Sequence, residues 1–224
     1  MMDFAVILPY LPQLAKGVVE TLKITGLGLL TSLSFALVLL AASERGGASV
    51  RWVVRGYVGF ILGMPILTLL YVIYFAGPPI GIRLDAWWAG VLTLTLYYSP
   101  YMAEAMRGAV AAIPPGQTEA ARTVGLSEAT ILRRIIAPQA LGILLPALAG
   151  LSIGLAKDTA ILSVISVREF AYETRQVVAQ TYAPAETWVV VALTYWVLLS
   201  TLDFGVRRLE RRVNHYRPTG SGMR

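Results

Sequence analysis

The chain has 224 residues, of which 56% are hydrophobic and 14% charged, with mean hydropathy +0.65 and net charge +6. Soluble domains carry about 25% charged residues, so this composition excludes an ordinary water-soluble domain. The positive balance reads as basic loops on one side of a membrane rather than a nucleic-acid surface, and the absence of cysteine excludes disulfides and thiolate metal sites.

Residues 1–17 (MMDFAVILPYLPQLAKG) carry an Asp and no basic cluster before their first apolar run, unlike a cleaved secretory signal. They read as an amphipathic lead-in at the membrane surface, broken by Pro9 and Pro12. A membrane span needs about 20 predominantly apolar residues. Five runs meet that need, at about 18–42, 56–76, 86–106, 140–166 and 187–205, within a membrane domain of 18–206. The expected fold class is therefore all-α integral membrane with five transmembrane helices, followed by a basic tail at 207–224. Gly59 with Gly63, and Gly150 with Gly154, have the spacing that lets helices approach closely, most simply within the chain. Trp87, Trp88 and Trp188 fit an interfacial aromatic belt.

The connections are unequal in charge. Arg45, Arg51, Arg55, Arg107, Arg122, Arg133 and Arg134 share one side with the Arg-rich tail; Lys16, Lys23, Arg83, Arg168 and Arg175 lie opposite. The richer side is expected to be cytoplasmic, which puts the N-terminus outside and the C-terminus inside. His215, the one histidine, sits in the tail and reads as solvated. No clustered ligands or nucleophile–base pair point to a metal or an enzyme.

The loop at 113–138, between the third and fourth runs, is charged yet patterned as two short helices. Thr118 is positioned to cap the first, with Glu119 in its opening turn. Gly125 suits the left-handed residue that ends it. Ser127 caps the second, which Pro138 ends. Two turns alone are marginal in water, so the first helix either lies on lipid headgroups or is held by a partner. No G-x-x-x-x-G-K-[ST] loop exists and no lysine follows a glycine, so a P-loop for ATP is absent.

Glu119-Ala120-Ala121, then Gly125 after three residues, then Ile135 and Pro138, resemble the EAA loop of ABC-transporter permeases. The family pattern ends I-x-L-P, where this chain has Ile135-Ile136-Ala137-Pro138. TLKIT (21–25), YMAEAMRGAV (101–110), IPPGQTEAARTVGLS (113–127) and LAKDTAILSVISV (155–167) look like permeases of the polar amino-acid uptake subfamily. The resemblance implies a type I importer permease (MetI-like) fold, with a coupling helix that docks on a separate ATPase through Glu119, Ala120, Ala121, Arg122, Gly125, Leu126 and Ser127. It implies two ATPase subunits holding ATP and Mg, a second permease chain, an extracytoplasmic solute-binding protein and the cytoplasmic membrane as location. The family's F-R-G-T-P stretch departs here to Phe60-Ile61-Leu62-Gly63-Met64-Pro65, with Leu62 for Arg and Met64 for Thr.

Charges at lipid depth are costly and usually face a bundle interior or a cavity. Glu104, Lys157 and Asp158 are such groups. One reading is an inter-helix ion pair, Lys157 with Glu104. The other, implied by the resemblance, is a solute pathway in which Glu104 and Asp158 take an ammonium or guanidinium, Thr159 and Thr21 supply hydroxyls, and Tyr97 stands where many relatives have Asn. Arg107 either pairs with Glu104 at i,i+3 or marks the interface. Against the importer stand a non-transporting assembly or sensory subunit and an ion-driven secondary transporter. The latter commonly carries internal repeats, and none is evident.

Overall fold

The structure, a computed structural model, describes residues 3–213, with side chains through 208. His215, Arg217 and Arg224, and the side chains of Arg211 and Arg212, lie outside the described residues. Nine α-helices, joined by 3₁₀ turns and one π segment, account for most of the described chain, and no strand occurs among the described residues.

The first span begins earlier than its apolar core. Helix α1 runs over Leu11–Arg45, about 52 Å at 1.5 Å per residue. Pro12 opens it rather than breaking the lead-in, because proline in the first turn forfeits an N–H that no helical carbonyl would accept. Residues 17 and 18 lie inside this helix without interruption. Only Phe4–Tyr10, a 3₁₀ turn capped by the Asp3 carboxylate, stands apart.

The second span is not the continuous run expected at 56–76. Helix α2 (Ala48–Leu62) and helix α3 (Ile66–Ala76) meet at a 109° bend. Pro65 supplies the cause: it lacks the N–H that would continue the ladder, and its ring crowds the preceding backbone. Helix α4 (Ala86–Ala111) is capped by Asp85, whose side chain accepts from the Trp88 N–H. Three stretches, Phe4–Arg45, Glu128–Ile165 and Pro184–Arg208, are long and apolar enough to cross a bilayer, and the bent pair makes a fourth. At 26 residues, about 39 Å, α4 has the length as well, but its tyrosines lower its hydropathy. It compensates by burial, packed against α1, α3 and the later helix α7.

Small and hydroxyl residues let α1 and α4 lie side by side. Thr31 and Thr95 share a 2.6 Å hydrogen bond between their hydroxyls, and Ser32 donates to the Leu94 carbonyl at 3.3 Å. Both helices run in the same direction, since Lys16 and Glu20 border one cavity with Asp85 near one end and Leu39 and Glu44 border another with Ala103 and Arg107 near the other. Gly28 admits the Leu94 and Leu155 side chains, which a Cβ would meet at 3.6 and 3.4 Å. Ile24, Leu70, Leu94, Leu155 and Leu162 form the buried centre of the bundle.

After α4 the chain forms helix α5 (Pro115–Thr123) and the single turn α6 (Glu128–Ile131). It then passes through a π segment, Leu132–Ile136, into helix α7 (Ala137–Asp158). Pro138 therefore does not end the second short helix. The Ala137 N–H reaches back to the Leu132 carbonyl, and this wider register accommodates the proline without a break. The fourth span accordingly begins well before 140. A 3₁₀ turn (Thr159–Ile165) leads by way of Ser166, at φ 66°, to helix α8 (Phe170–Thr181). Helix α9 (Pro184–Val213) closes the bundle. A second apolar cluster, Ile7, Leu14, Phe170, Val177 and Val191, ties α8 to the start of α1 and to α9.

Candidate functional site

The turn between α5 and α6 is a four-residue elbow, Val124 to Ser127, built by local chemistry. Gly125 adopts φ 78°, the left-handed region that glycine enters at no steric cost. Its N–H donates to the Arg122 carbonyl at 2.9 Å, and the Leu126 N–H donates to the Ala121 carbonyl at 3.2 Å. This pair of bonds is the Schellman closure of a helix. Ser127 then starts α6 by accepting the Thr130 N–H at 3.3 Å. Arg122 spans the turn to Glu128, with contacts of 2.6 and 3.1 Å. Hydrogen bonding to this guanidinium holds the Glu128 carboxyl below its usual value.

One local expectation fails. Helix α5 starts at Pro115, so Thr118 lies inside it and caps nothing. The Pro114-Pro115 pair starts the helix three residues earlier than a polar cap would, because proline's fixed φ already suits the first turn. Glu119, Ala120, Arg122, Gly125, Leu126 and Ser127 are exposed, and Val124 stands 73% exposed at the tip. Ala121 is buried and anchors the short helix. Gln139 on α7 donates to Gln117 on α5 at 2.6 Å, and buried Ile113 seats the link from α4. The elbow is thus an open surface fastened on one side to α4 and on the other to α7.

These same two helices meet at a polar contact halfway along α4. Tyr98, the thirteenth of its 26 residues, donates its hydroxyl to Asp158 Oδ2 at 2.8 Å. Asp158 is half-buried at the end of α7. Tyr97, Tyr98 and Tyr101 form a ring cluster with centroids 5.3–6.4 Å apart, and Tyr101 donates to the Tyr97 hydroxyl at 3.3 Å. Gly154 makes room for this arrangement, since a Cβ there would lie 3.0 Å from the Tyr98 hydroxyl. Gly59 and Gly150 meet nothing within 4 Å, so of the two glycine pairs only this one has a member in close packing with another helix.

The other polar residues expected on a pathway are dispersed. Glu104, six residues beyond Tyr98 and about 9 Å further along α4, forms its ion pair with Arg107 rather than with Lys157. Lys157 is exposed and has no ion pair among the described residues. Thr159, the residue after Asp158, is fully buried and donates to the Ala156 carbonyl at 2.9 Å. Thr21 belongs to a different place: its hydroxyl accepts the Phe170 N–H at 3.1 Å and donates to Glu169 at 3.4 Å.

That last contact belongs to a polar cluster the sequence did not signal. Around a cavity of about 850 Å³ at the start of α1, Gln13 and Arg168 both bond Glu173, at 2.6 and 2.7 Å. Buried Glu169 caps α8 through the Ala171 and Tyr172 N–H groups. Gln13 and Thr21 lie 160 and 148 residues from their partners Glu173 and Glu169, so no local pattern ties α1 to this cluster. Tyr98, by contrast, sits in the run Tyr97-Tyr98-Ser99-Pro100-Tyr101, whose density of hydroxyls in an apolar span was a usable signal. Among the described residues, no group of three His, Asp or Glu side chains is close enough to hold a metal.

Comparison with known proteins agrees over most of the chain. The family model for the binding-protein-dependent transport system inner membrane component matches residues 34–215. The probable glutamine ABC transporter permease protein GlnM of Bacillus subtilis (strain 168) is 37% identical over 163 residues, 73% of this chain and 76% of that one. The glutamine transport system permease protein GlnP of Escherichia coli (strain K12) is 36% identical over 213 residues, 94% of this chain and 97% of that one. A solved structure described as an amino acid ABC transporter with histidines superposes with TM-score 0.88 at 32% identity, covering 95% of this chain and 99% of its own. The methionine transporter MetNI, in an inward-facing form, gives TM-score 0.74 at 25% identity over 92% of this chain and 98% of its own.

Proposed function

The chain belongs to the binding-protein-dependent transport system inner membrane component family, and from that premise we propose that it is the permease subunit of an ATP-driven importer for a polar amino acid or related small solute. The family is a transport subunit with no ATPase of its own, and ATP and Mg belong to the partner. The proposed assembly has two ATPase subunits, a second permease chain of the same or different sequence, and an extracytoplasmic solute-binding protein. The N-terminus lies outside and the α5 elbow and C-terminus lie in the cytoplasm, following the arginine bias. The membrane domain takes 18–206 and the basic tail 207–224.

One observation carries the mechanism: the helices that flank the elbow, α4 and α7, are the ones joined at mid-height by Tyr98 and Asp158. Glu119, Ala120, Ala121, Arg122, Gly125, Leu126 and Ser127 form the surface an ATPase grips. The Schellman closure and the Arg122–Glu128 bridge make that surface one unit. Closure of the motor displaces the elbow, tilts α4 against α7 and changes the Tyr98–Asp158 contact. Asp158 takes the ammonium of the solute. Tyr97 completes the wall beside it, buried Thr159 holds the turn behind Asp158 through the Ala156 carbonyl, and Lys157, turned about 100° away, pairs with a neighbouring helix of the assembly. Glu104 lies further along, toward the cytoplasmic exit, and Thr21 supports the outer side of the pathway by holding the α8 turn.

The test is co-purification and uptake. An ATPase subunit should copurify in detergent and be lost when Glu119 and Gly125 are both replaced, with uptake lost in parallel. Uptake surviving without the ATPase would mean an ion-driven carrier. An ATPase that never copurifies, with no uptake at all, would leave a non-transporting subunit.

A further inference from the structure

A cavity of about 520 Å³ lies between α1, α2 and α4, apart from Asp158 and one side of the elbow. Its size is within the range of small-ligand sites, roughly 300–1,000 Å³. The wall is graded in the same sense on all three helices. Leu39 gives way to Glu44 as α1 approaches its link to α2, and Ala103 gives way to Arg107 as α4 approaches α5. On α2, Arg51 and Arg55 adjoin that link while Leu62 lies further along. One end is charged and the other apolar.

The charges do not cancel within the protein. Arg107 is paired with Glu104, and Arg51 donates to the Gly46 carbonyl at 2.8 Å. Arg55 and Glu44 have no ion pair among the described residues. Arg51 and Arg55 therefore face the cavity with no carboxylate of their own, and Glu44 meets only the longer-range pull of the already paired Arg107. Beside Arg51, Trp52 is 77% exposed, as aromatic residues are at the headgroup level of a bilayer.

We propose that this cavity seats the headgroup of an aminophospholipid from the cytoplasmic leaflet. The phosphodiester lies on Arg55 and the free N–H groups of Arg51, the primary ammonium lies on Glu44, and the glycerol and first acyl carbons run along Leu39 and Leu62. Charge-assisted hydrogen bonds of this kind are short and strong. A simple phosphate would leave Glu44 facing an anion. A free amino acid would match both charges but leave the apolar wall wet. The choice of leaflet rests on the orientation proposed above; Glu104, placed toward the cytoplasmic exit, borders this cavity with its partner Arg107, and the headgroup contacts do not use it.

The experiment is native mass spectrometry of the full transporter released from nanodiscs of mixed phosphatidylethanolamine, phosphatidylcholine and phosphatidylglycerol. The unaltered protein should retain phosphatidylethanolamine over phosphatidylcholine, whose quaternary nitrogen cannot donate to Glu44. Glu44→Gln should abolish that preference. Arg55→Gln should cut retention of every phospholipid about fivefold, the equivalent of the ~1 kcal/mol that a basic residue gains near a lipid surface, and Arg55→Lys should restore most of it. Equal retention of the two lipids by the unaltered protein would overturn the proposal with no variant needed. So would unchanged retention in both Gln variants, or displacement of the bound species by millimolar free amino acid, which would mark a soluble-zwitterion site. Uptake is not read, so failure here leaves the importer reading standing. Labelling of a Ser49→Cys variant from outside would instead sink the orientation while leaving the lipid preference in place.

Discussion

Replacing Gly125 by Asn, Ala and Val strains one backbone angle while touching no neighbour. At φ 78° a non-glycine residue pays roughly 1–2 kcal/mol; Asn pays less, and a β-branched residue most. A Cβ there meets nothing within 4 Å, so no packing term confuses the result. What resists the strain is small: the Ser127 cap, about 1 kcal/mol, and two turn hydrogen bonds of 2.9 and 3.2 Å. A cost of roughly 1–2 kcal/mol is comparable, and lowers the ratio of native to distorted elbow by about 5- to 30-fold for Ala. The assay is ATPase retained per permease after purification, together with ATP-driven uptake in proteoliposomes. Gly116→Ala is the control, since its Cβ also meets nothing within 4 Å but its φ is not left-handed, and a helical Ala gains up to about 1 kcal/mol over Gly. Both readouts should fall in the order Gly, Asn, Ala, Val, with Gly116→Ala unchanged. A Gly125→Val protein that couples normally would refute the reasoning.

Tyr98→Phe removes a hydrogen bond to a carboxylate, worth about 1.5–3 kcal/mol, so the uptake KM should shift at least tenfold while ATPase retention stays normal. Thr21→Val orphans the buried Phe170 N–H at a cost of about 1–3 kcal/mol; thermal unfolding should drop by several degrees with KM unchanged, whereas a KM effect at constant stability would restore Thr21 to the solute site. Because the folded Glu128 carboxyl titrates below its usual 4.5, its bridge to Arg122 is fully present above that pH and is lost as pH falls through the depressed value. Carboxyl NMR should find the low midpoint, and Arg122→Gln should return it to the ordinary range.

The elbow was legible because its signals are local: Gly125 for a left-handed turn and Ser127 for a cap both act within three residues. Thr118 misled because a Pro-Pro pair already starts the helix, which needs no side-chain cap. Pro138 misled for the opposite reason, since the expectation of a stop assumes a strict α register, and the π segment at Leu132–Ile136 changes the register instead. The bend at Pro65 sits on the very residues, Gly63 and Pro65, that matched the family stretch, yet hydropathy averaged over the run hides it. Thr21 could not be placed from sequence because its partner Phe170 is 149 residues away. Asp158 turns inward to Tyr98 while Lys157, about 100° round the helix, is exposed.

That outward Lys157 has a consequence for biogenesis. Asp158 stands level with the middle of α4, so its neighbour's ammonium emerges near the centre of the bilayer, where insertion of a lysine costs about 2.5–3.5 kcal/mol. A solitary copy carries that penalty until another surface or a water-filled channel covers the charge.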